Sequence, residues 1–495
     1  MKVTRILAGV VGFVLLLQGL AMLIMPEVVA TAMLSLSTTG AGINSLRADI
    51  GALFLGMGVF TLLGVFSRHR WWLVVPIAFL VLVVIGRLIS VSVDPFPAAT
   101  TRALVGELIF VFILSFAMVS HALSSRTELR PQVLRTFISR GFLISAAIVV
   151  VLLVGAFAIR PQIGSQLWSR AISGMISQSE IEDLPDGLHV GLAGTGSPLP
   201  DAQRVGQSIF VIAGEHLFII DSGPGSTLNL ERMKVPIETA DAILLTHFHS
   251  DHIADLGELL LKSWTYGART EPMLVMGPEG VESVVEGFNM AFALDAEYRH
   301  AHHGDAVAPT TGAGGRAKTI TGFGDDESTV IFQTDDLTAT AFLVDHRPVK
   351  PAVGYRFDYK GRSVIVSGDT MPSESLMRQA EGVDLLIHEA ANPDMLAVLN
   401  RAASDADQDI AASVANDILT YHTFPEETAR IARDANAGYL VMTHILPPMP
   451  AAILHPAFMG DSKNIFDGPI TIAYDGMLFS LLPDKIDIER QWLLR

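Results

Sequence analysis

The first 160 residues and the remainder call for different solvents. Five apolar stretches, at about 6–25, 48–66, 71–93, 103–123 and 141–159, approach or exceed the length that crosses a bilayer. Residues 1–160 hold twelve Lys and Arg against five Asp and Glu, a charge of +7. Subtracting these from the chain's 34 bases and 51 acids leaves 22 and 46, or −24, for the rest. This pattern predicts a transmembrane helical domain at 1–160, a connector at 161–187 and a polar domain at 188–495. The 495 residues contain no cysteine, which excludes disulfides, thiolate metal sites and cysteine nucleophiles. A domain this acidic is a poor match for nucleic acid, whose affinity comes largely from phosphate neutralisation.

Lys2 and Arg5 precede the first run as in a signal peptide, but the run is long and Met25-Pro26-Glu27 is no small-residue cleavage site. Lys2, Arg5, Arg68, Arg70, Arg126, Arg130, Arg135 and Arg140 fall on one side of the expected spans, and Arg47, Arg102, Arg160 and Arg170 on the other. Eight bases against four put the N-terminus in the cytoplasm. Five crossings of the cell inner membrane then leave the polar domain outside, and one span more or fewer reverses this. Charges within spans face the bundle interior and pair. Arg47 with Asp49, Arg87 and Glu107 are such residues, with Arg87 and Glu107 read as a structural ion pair rather than a ligand or proton site. Through Leu46-Arg47, Gly86-Arg87 and Glu107, residues 40–115 resemble a small uncharacterised family of four-helix membrane domains, which implies no activity.

Beyond 188 the pattern is of strands alternating with helices. Strands are expected at 208–213, 217–221, 242–246, 337–344, 353–359, 363–367, 385–387 and 439–443, and helices at 253–264, 279–290, 373–381 and 425–435. Residues 304–328 read as a mobile loop. The segment Thr246-His247-Phe248-His249-Ser250-Asp251-His252 joins a buried strand to an apolar-periodic helix. In extended chain His247 and His249 project to one side, with Asp251 and His252 at the turn. Nitrogen and oxygen donors gathered in this way suit zinc with an open position for water. Further donors, His346, Asp369 and His444, each follow an expected strand.

With Gly194-Thr195-Gly196-Ser197-Pro198, Asp221-Ser222-Gly223, Gly368-Asp369-Thr370, His388-Glu389-Ala390, His422-Thr423 and Thr443-His444, these residues make 188–480 resemble the metallo-β-lactamase superfamily, within it the ribonuclease Z branch and its arylsulfatase-like relatives. The resemblance implies an α+β fold, a four-layer αββα sandwich, here preceded by an all-α transmembrane bundle of about five helices. It implies two Zn2+ ions, with Mn2+ or Fe as substitutes. His247, His249 and His346 would hold one, Asp251, His252 and His444 the other, and Asp369 would bridge both. A bridging hydroxide would attack, Asp251 would help orient it, and His422, oriented by Glu389, would protonate the leaving group. The alternative for His422 is a helix-start residue ahead of Pro425-Glu426-Glu427. Asp221 is expected to fix the metal loop by hydrogen bonds. His302 and His303 read as exposed, and His455 is unassigned.

The interval 264–345 has an acidic helix where ribonuclease Z carries a basic tRNA-gripping arm. The expected enzyme is therefore a membrane-anchored hydrolase of a small ester, sulfate ester or phosphodiester, with the lipid bilayer as a partner and room for a homodimer. A ribonuclease Z-like cut near RNA 3′ ends is the alternative, and a non-catalytic membrane sensor is a third reading. β-Lactam hydrolysis is disfavoured, since zinc β-lactamases typically use a cysteine where Asp369 stands.

Overall fold

The computed structural model describes residues 2–24, 50–67, 70–91, 98–124 and 183–494, with positions 165, 168–169, 172 and 181 between them. The chain divides into two compact units, Met1–Gly174 and Met175–Leu494.

The first unit holds helices Lys2–Ile24, Ala52–Phe66, Val74–Val91 and Ala98–Ser124. Helices Lys2–Ile24 and Ala52–Phe66 approach backbone to backbone. A Cβ on Gly19 would lie 2.3 Å from the Leu55 nitrogen, and one on Gly58 would lie 2.6 Å from the Leu16 nitrogen, so only glycine fits at either point. A small core of Ala8, Val11, Leu15, Met57 and Leu114 lies inside the unit. Ile6, Phe13, Leu82, Phe112 and Phe116 are exposed. Among the described residues one helix, Thr4–Ile24, is long and apolar enough to cross a membrane, with Ala52–Phe66, Trp71–Ile85 and Val105–Met118 apolar but shorter. A bundle of five crossings is therefore not what the described residues support. These four helices fall where the first four apolar stretches of the sequence lie. The fifth expected span, Arg47, Asp49 and the side chain of Arg87 lie outside the described residues.

The second unit is built on two sheets. The first has eight strands in the order β15-β14-β1-β2-β3-β4-β5-β6. These are β1 Leu188–Gly194, β2 Ser208–Ala213, β3 His216–Ile220, β4 Ala242–Leu244, β5 Met273–Gly277, β6 Gly315–Thr319, β14 Met477–Leu481 and β15 Ile488–Trp492. The second runs β13-β12-β11-β10-β9-β8-β7, comprising β7 Ser328–Gln333, β8 Leu337–His346, β9 Val349–Tyr359, β10 Arg362–Val366, β11 Leu385–Ala391, β12 Tyr439–Leu446 and β13 Ile470–Ile472.

The two-residue period of a strand explains the layering. Phe218 and Ile220 of β3 meet Leu385 and Ile387 of β11 in the core between the sheets. Leu217 and Ile219 face the other way, into a core with Leu256, Leu259, Leu260 and Val281 of the overlying helices. Leu386 and Ala390 do the same beneath Leu376, Ala429 and Ala432. The result is a helix–sheet–sheet–helix stack. Burying one apolar side chain contributes about 1.5–3 kcal/mol, which is why strands buried on both faces are continuous in apolar residues.

Several features differ from the sequence expectation, and strands β1, β5, β7, β13, β14 and β15 are not among those expected. The stretch 304–328 is not all loop, because it contains β6, which pairs parallel with β5. The Asn289 side chain bonds Gly315 through both its amide nitrogen and its oxygen, at 2.9 and 2.8 Å, and pins that strand to the helix Val281–His303. That helix extends thirteen residues past the expected end at 290. A helical pair, Pro393–Asp405 and Asp409–Asp417, stands where no element was expected.

Asp475, in the turn before β14, accepts from the Thr195 amide and hydroxyl, the Val205 amide and the Asn229 side chain at 2.8–3.1 Å. It thereby ties down the loop 195–205. Burial nonetheless pushes its carboxyl up to about 6. A raised carboxyl binds more protons folded than unfolded between about pH 4 and 6, so its contribution to stability falls as pH rises through that window. Asp475→Ala orphans several buried donors at once. The expected loss is about 2–4 kcal/mol, read as a lower denaturation midpoint, at one to three kcal/mol for each uncompensated group. An unchanged midpoint would count against the clamp.

Candidate active site

The chemistry gathers where parallel strands end. β3, β4 and β5 are parallel in one sheet, and β10, β11 and β12 in the other. Their carboxyl ends carry the polar residues, as in other sheets with parallel strands. Asp221 follows β3, His247–His252 follow β4, Asp369 follows β10, Glu389 lies in β11 and His444 in β12, while His346 closes β8.

His247, His249, His346 and Asp369 form one group whose donor atoms all lie within 4.8 Å, and Asp251, His252 and His444 form a second. His247 Nε2 lies 3.0 Å from His249 Nδ1, and His346 Nε2 lies 3.3 Å from that same nitrogen. His444 Nε2 is 3.0 Å and His252 Nε2 3.5 Å from Asp251 Oδ2. One atom joins the groups. Asp369 Oδ2 is 3.8 and 3.9 Å from the Nε2 atoms of His247 and His346, and 3.4 Å from those of His252 and His444. All seven side chains are buried except His249, which is exposed and marks the open side.

Neighbouring groups set the ring orientations. His252 Nδ1 donates to Asp221 Oδ2 at 2.8 Å, and the Thr246 amide and hydroxyl donate to the same carboxylate. His346 Nδ1 donates to the Tyr421 carbonyl at 3.1 Å. Each of these rings therefore turns Nε2 toward the cluster. His252 Nε2 is buried and has no hydrogen-bond partner. Asp221 and His444 have φ of 60° and 48°, in the left-handed region that side chains other than glycine seldom adopt. Such strain is held where the surroundings over-determine it.

Charge is unbalanced in a way a cation would correct. Burial alone would favour neutral His252, but Asp369, Asp251 and Asp221 together push its imidazole well above the ordinary range. Burial opposes ionisation of Asp369, yet the charges of His444 and His252 hold it well below the carboxylate range. Asp251 is brought to about 2 in the same way: burial resists, and the charge of His252 and the His444 hydrogen bond prevail. Burial, with the charge of His252, keeps His247 neutral, as a metal-binding imidazole must be. Three carboxylates thus converge on a proton at His252 where a divalent ion could sit, and the orphaned Nε2 is the atom it would take. The donor set fits such an ion.

His422 and Glu389 complete the site. Glu389 Oε1 accepts from His422 Nδ1 at 3.0 Å, from the Thr423 amide at 3.0 Å and from the Thr370 amide at 3.2 Å. His422 has a donor atom within 4.8 Å of those of Asp369 and His444. It also precedes the helix Pro425–Asp434, so both readings of its position hold geometrically. His302 and His303 are exposed. His455 bonds the Tyr474 hydroxyl at 2.9 Å. The Tyr421 carbonyl and the Asp475 clamp escape sequence reasoning. The first is a backbone group, and the only signal for the second is the turn Asp475-Gly476.

The model of the β-lactamase superfamily domain matches residues 216–445, and a domain of unknown function (DUF4345) matches residues 3–118. Ribonuclease Z of Mycobacterium sp. (strain KMS) is 36% identical over 263 residues, 53% of this chain and 85% of that protein. Ribonuclease Z of Mycobacterium bovis is 36% identical over 270 residues, covering 52% and 86%. The crystal structure of the short form of human tRNase Z overlaps 59% of this chain and 98% of that one, with 20% identity and a TM-score of 0.42. The chain belongs to the metallo-β-lactamase superfamily, among the homologues of ribonuclease Z. It is a metal-dependent hydrolase of ester or phosphodiester bonds. The activity in those relatives' names runs against the expectation that nucleic acid is disfavoured. That expectation rested on the acidic helix in place of a basic arm, on the positive-inside count and on net charge, and net charge is summed over the whole unit and does not report the field at one edge.

Asp221→Ala removes the acceptor that orients His252. Loss of such an outer hydrogen bond costs about 10–100-fold in metal affinity, which a chelator competition would read. Unaltered affinity would show that His252 orients itself.

Proposed function

We propose that the catalytic unit is a two-zinc phosphodiesterase of the ribonuclease Z kind, cutting RNA near its 3′ end, carried on a membrane-embedded N-terminal unit. The observation that carries this reading is the Glu389–His422 pair beside the donor cluster, which sets a proton donor next to the reacting edge. His247, His249 and His346 would hold one ion and Asp251, His252 and His444 the other, with Asp369 between. Bound there, two divalent cations, zinc or in its place Mn2+ or Fe, would lower the pKa of a bound water and stabilise charge on the phosphoryl oxygens. Asp251, held ionised against burial by the charge of His252 and the His444 hydrogen bond, would accept a hydrogen bond from the attacking water. His422, with Nδ1 committed to Glu389, donates from Nε2 to the departing oxygen.

Incubating the metal-loaded chain with an RNA carrying a 3′ extension should give one endonucleolytic cut. The charge of −24 after residue 160 supports a second reading, a small ester or sulfate ester as substrate. Turnover of aryl sulfate without any RNA cut would favour it.

The outward apolar side chains of the first unit and the glycine contact between its helices support the membrane reading, since close approach at small residues is how helices pair in lipid. RNA as substrate requires the catalytic unit to face the cytoplasm. A reporter fused after Arg495 tests this, and activity only outside the membrane would favour the small-ester reading.

A further inference from the structure

We propose that Tyr421 is the stacking platform for the nucleobase next to the scissile phosphate, and so a substrate-binding residue. The inference rests on the RNA reading above. The Tyr421 ring is half-buried at the edge of the donor cluster. Its centroid lies 4.7 Å from that of His422 and 5.5 Å from that of His346, the latter edge-on at 78°. It therefore adjoins both the residue that protonates the leaving oxygen and a member of the metal-holding group. A base attached to the nucleotide that carries that oxygen falls within reach of this ring.

The ring is placed firmly without being used up. The Tyr421 carbonyl accepts from His346 Nδ1, so the backbone here is tied to the cluster whatever side chain it bears. Leu199 and Leu419 pack with the ring against a small apolar group of Ala391, Leu396, Ile418 and Leu446. Among the described residues no hydrogen bond holds the hydroxyl. One part of the ring thus rests on aliphatic side chains and another part stays open. Every base has a π-face, so such a platform binds bases without reading their edges.

The test is equilibrium binding to the full-length, metal-loaded chain in detergent. The probes are adenosine 5′- or 3′-monophosphate, whichever binds tighter, and the matching ribose phosphate. Stacking on one aromatic ring should make the nucleotide bind about five- to a hundredfold tighter than the ribose phosphate. Tyr421→Phe should keep that ratio. Tyr421→Leu fills the apolar cluster but has no flat face. It should bring the ratio near one, with metal content and ribose phosphate affinity held within about twofold. A ratio that survives in Tyr421→Leu, a ratio of one in the wild type, or no measurable nucleotide binding overturns the proposal. RNA cleavage with no base-dependent ratio sinks the platform alone. A base-dependent ratio without cleavage of RNA or bis(p-nitrophenyl) phosphate sinks the functional reading instead.

Discussion

Asp369→Ala abolishes turnover, by about 10⁴-fold or more, while the catalytic unit stays folded. The reason is geometric. A single oxygen of this carboxylate lies 3.4–3.9 Å from four imidazole nitrogens drawn from both donor groups. Its removal leaves each group one donor short and takes away the charge that the imidazoles share. The backbone at Asp369 lies just past β10, whose pairing with β9 and β11 does not involve the side chain. Steady-state rates and circular dichroism check the two halves of the expectation. Turnover within tenfold of wild type would displace Asp369 from the centre of the site.

His422→Ala lowers the rate by about 10²–10⁴-fold, the range for a general acid, with metal content unchanged. The loss should be largest for an RNA phosphodiester and smaller for a p-nitrophenyl ester, whose leaving group needs no proton. The pH profile carries a second signature. Burial lowers the His422 pKa, but the charge and hydrogen bond of Glu389, helped by Asp369 and Asp251, raise it above the ordinary histidine value. An acid must hold its proton, so the rate is sustained below that raised pKa and falls as pH climbs through it. Glu389→Gln removes the principal raising influence, and the basic limb should move to lower pH. Equal losses on both substrate types, or an unmoved limb, would return His422 to the role of a helix-start residue.

The fold of the second unit was legible in the sequence because its strands are buried on both faces. Runs such as Ala242–Leu244 and Tyr439–Met442 are apolar without interruption and give way to the polar residues that bring in His247 and His444. The donor cluster was legible for the same reason, since a polar residue after a buried strand has few structural uses. What escaped was chemistry between distant backbones. Nothing in Thr420-Tyr421-His422 announces that a carbonyl will orient His346, 75 positions away. Gly315 looked like loop because its partner, Asn289, lies on a helix whose polar surface hid the contact. The helices Pro393–Asp405 and Asp409–Asp417 were missed because their buried faces are narrow, with Leu396 and Ala403 on one and Ala412 and Ala415 on the other. Net charge placed nucleic acid among the disfavoured partners, whereas proteins 36% identical to this chain bear the name ribonuclease Z.

Counting divalent ions on the purified chain tests the central claim most directly. Stripped protein titrated with Zn2+ in a calorimeter should take up two ions per chain, and Asp369→Ala should no longer bind the pair. Uptake of one ion or none by the wild type, or two by Asp369→Ala, would contradict a shared two-ion centre.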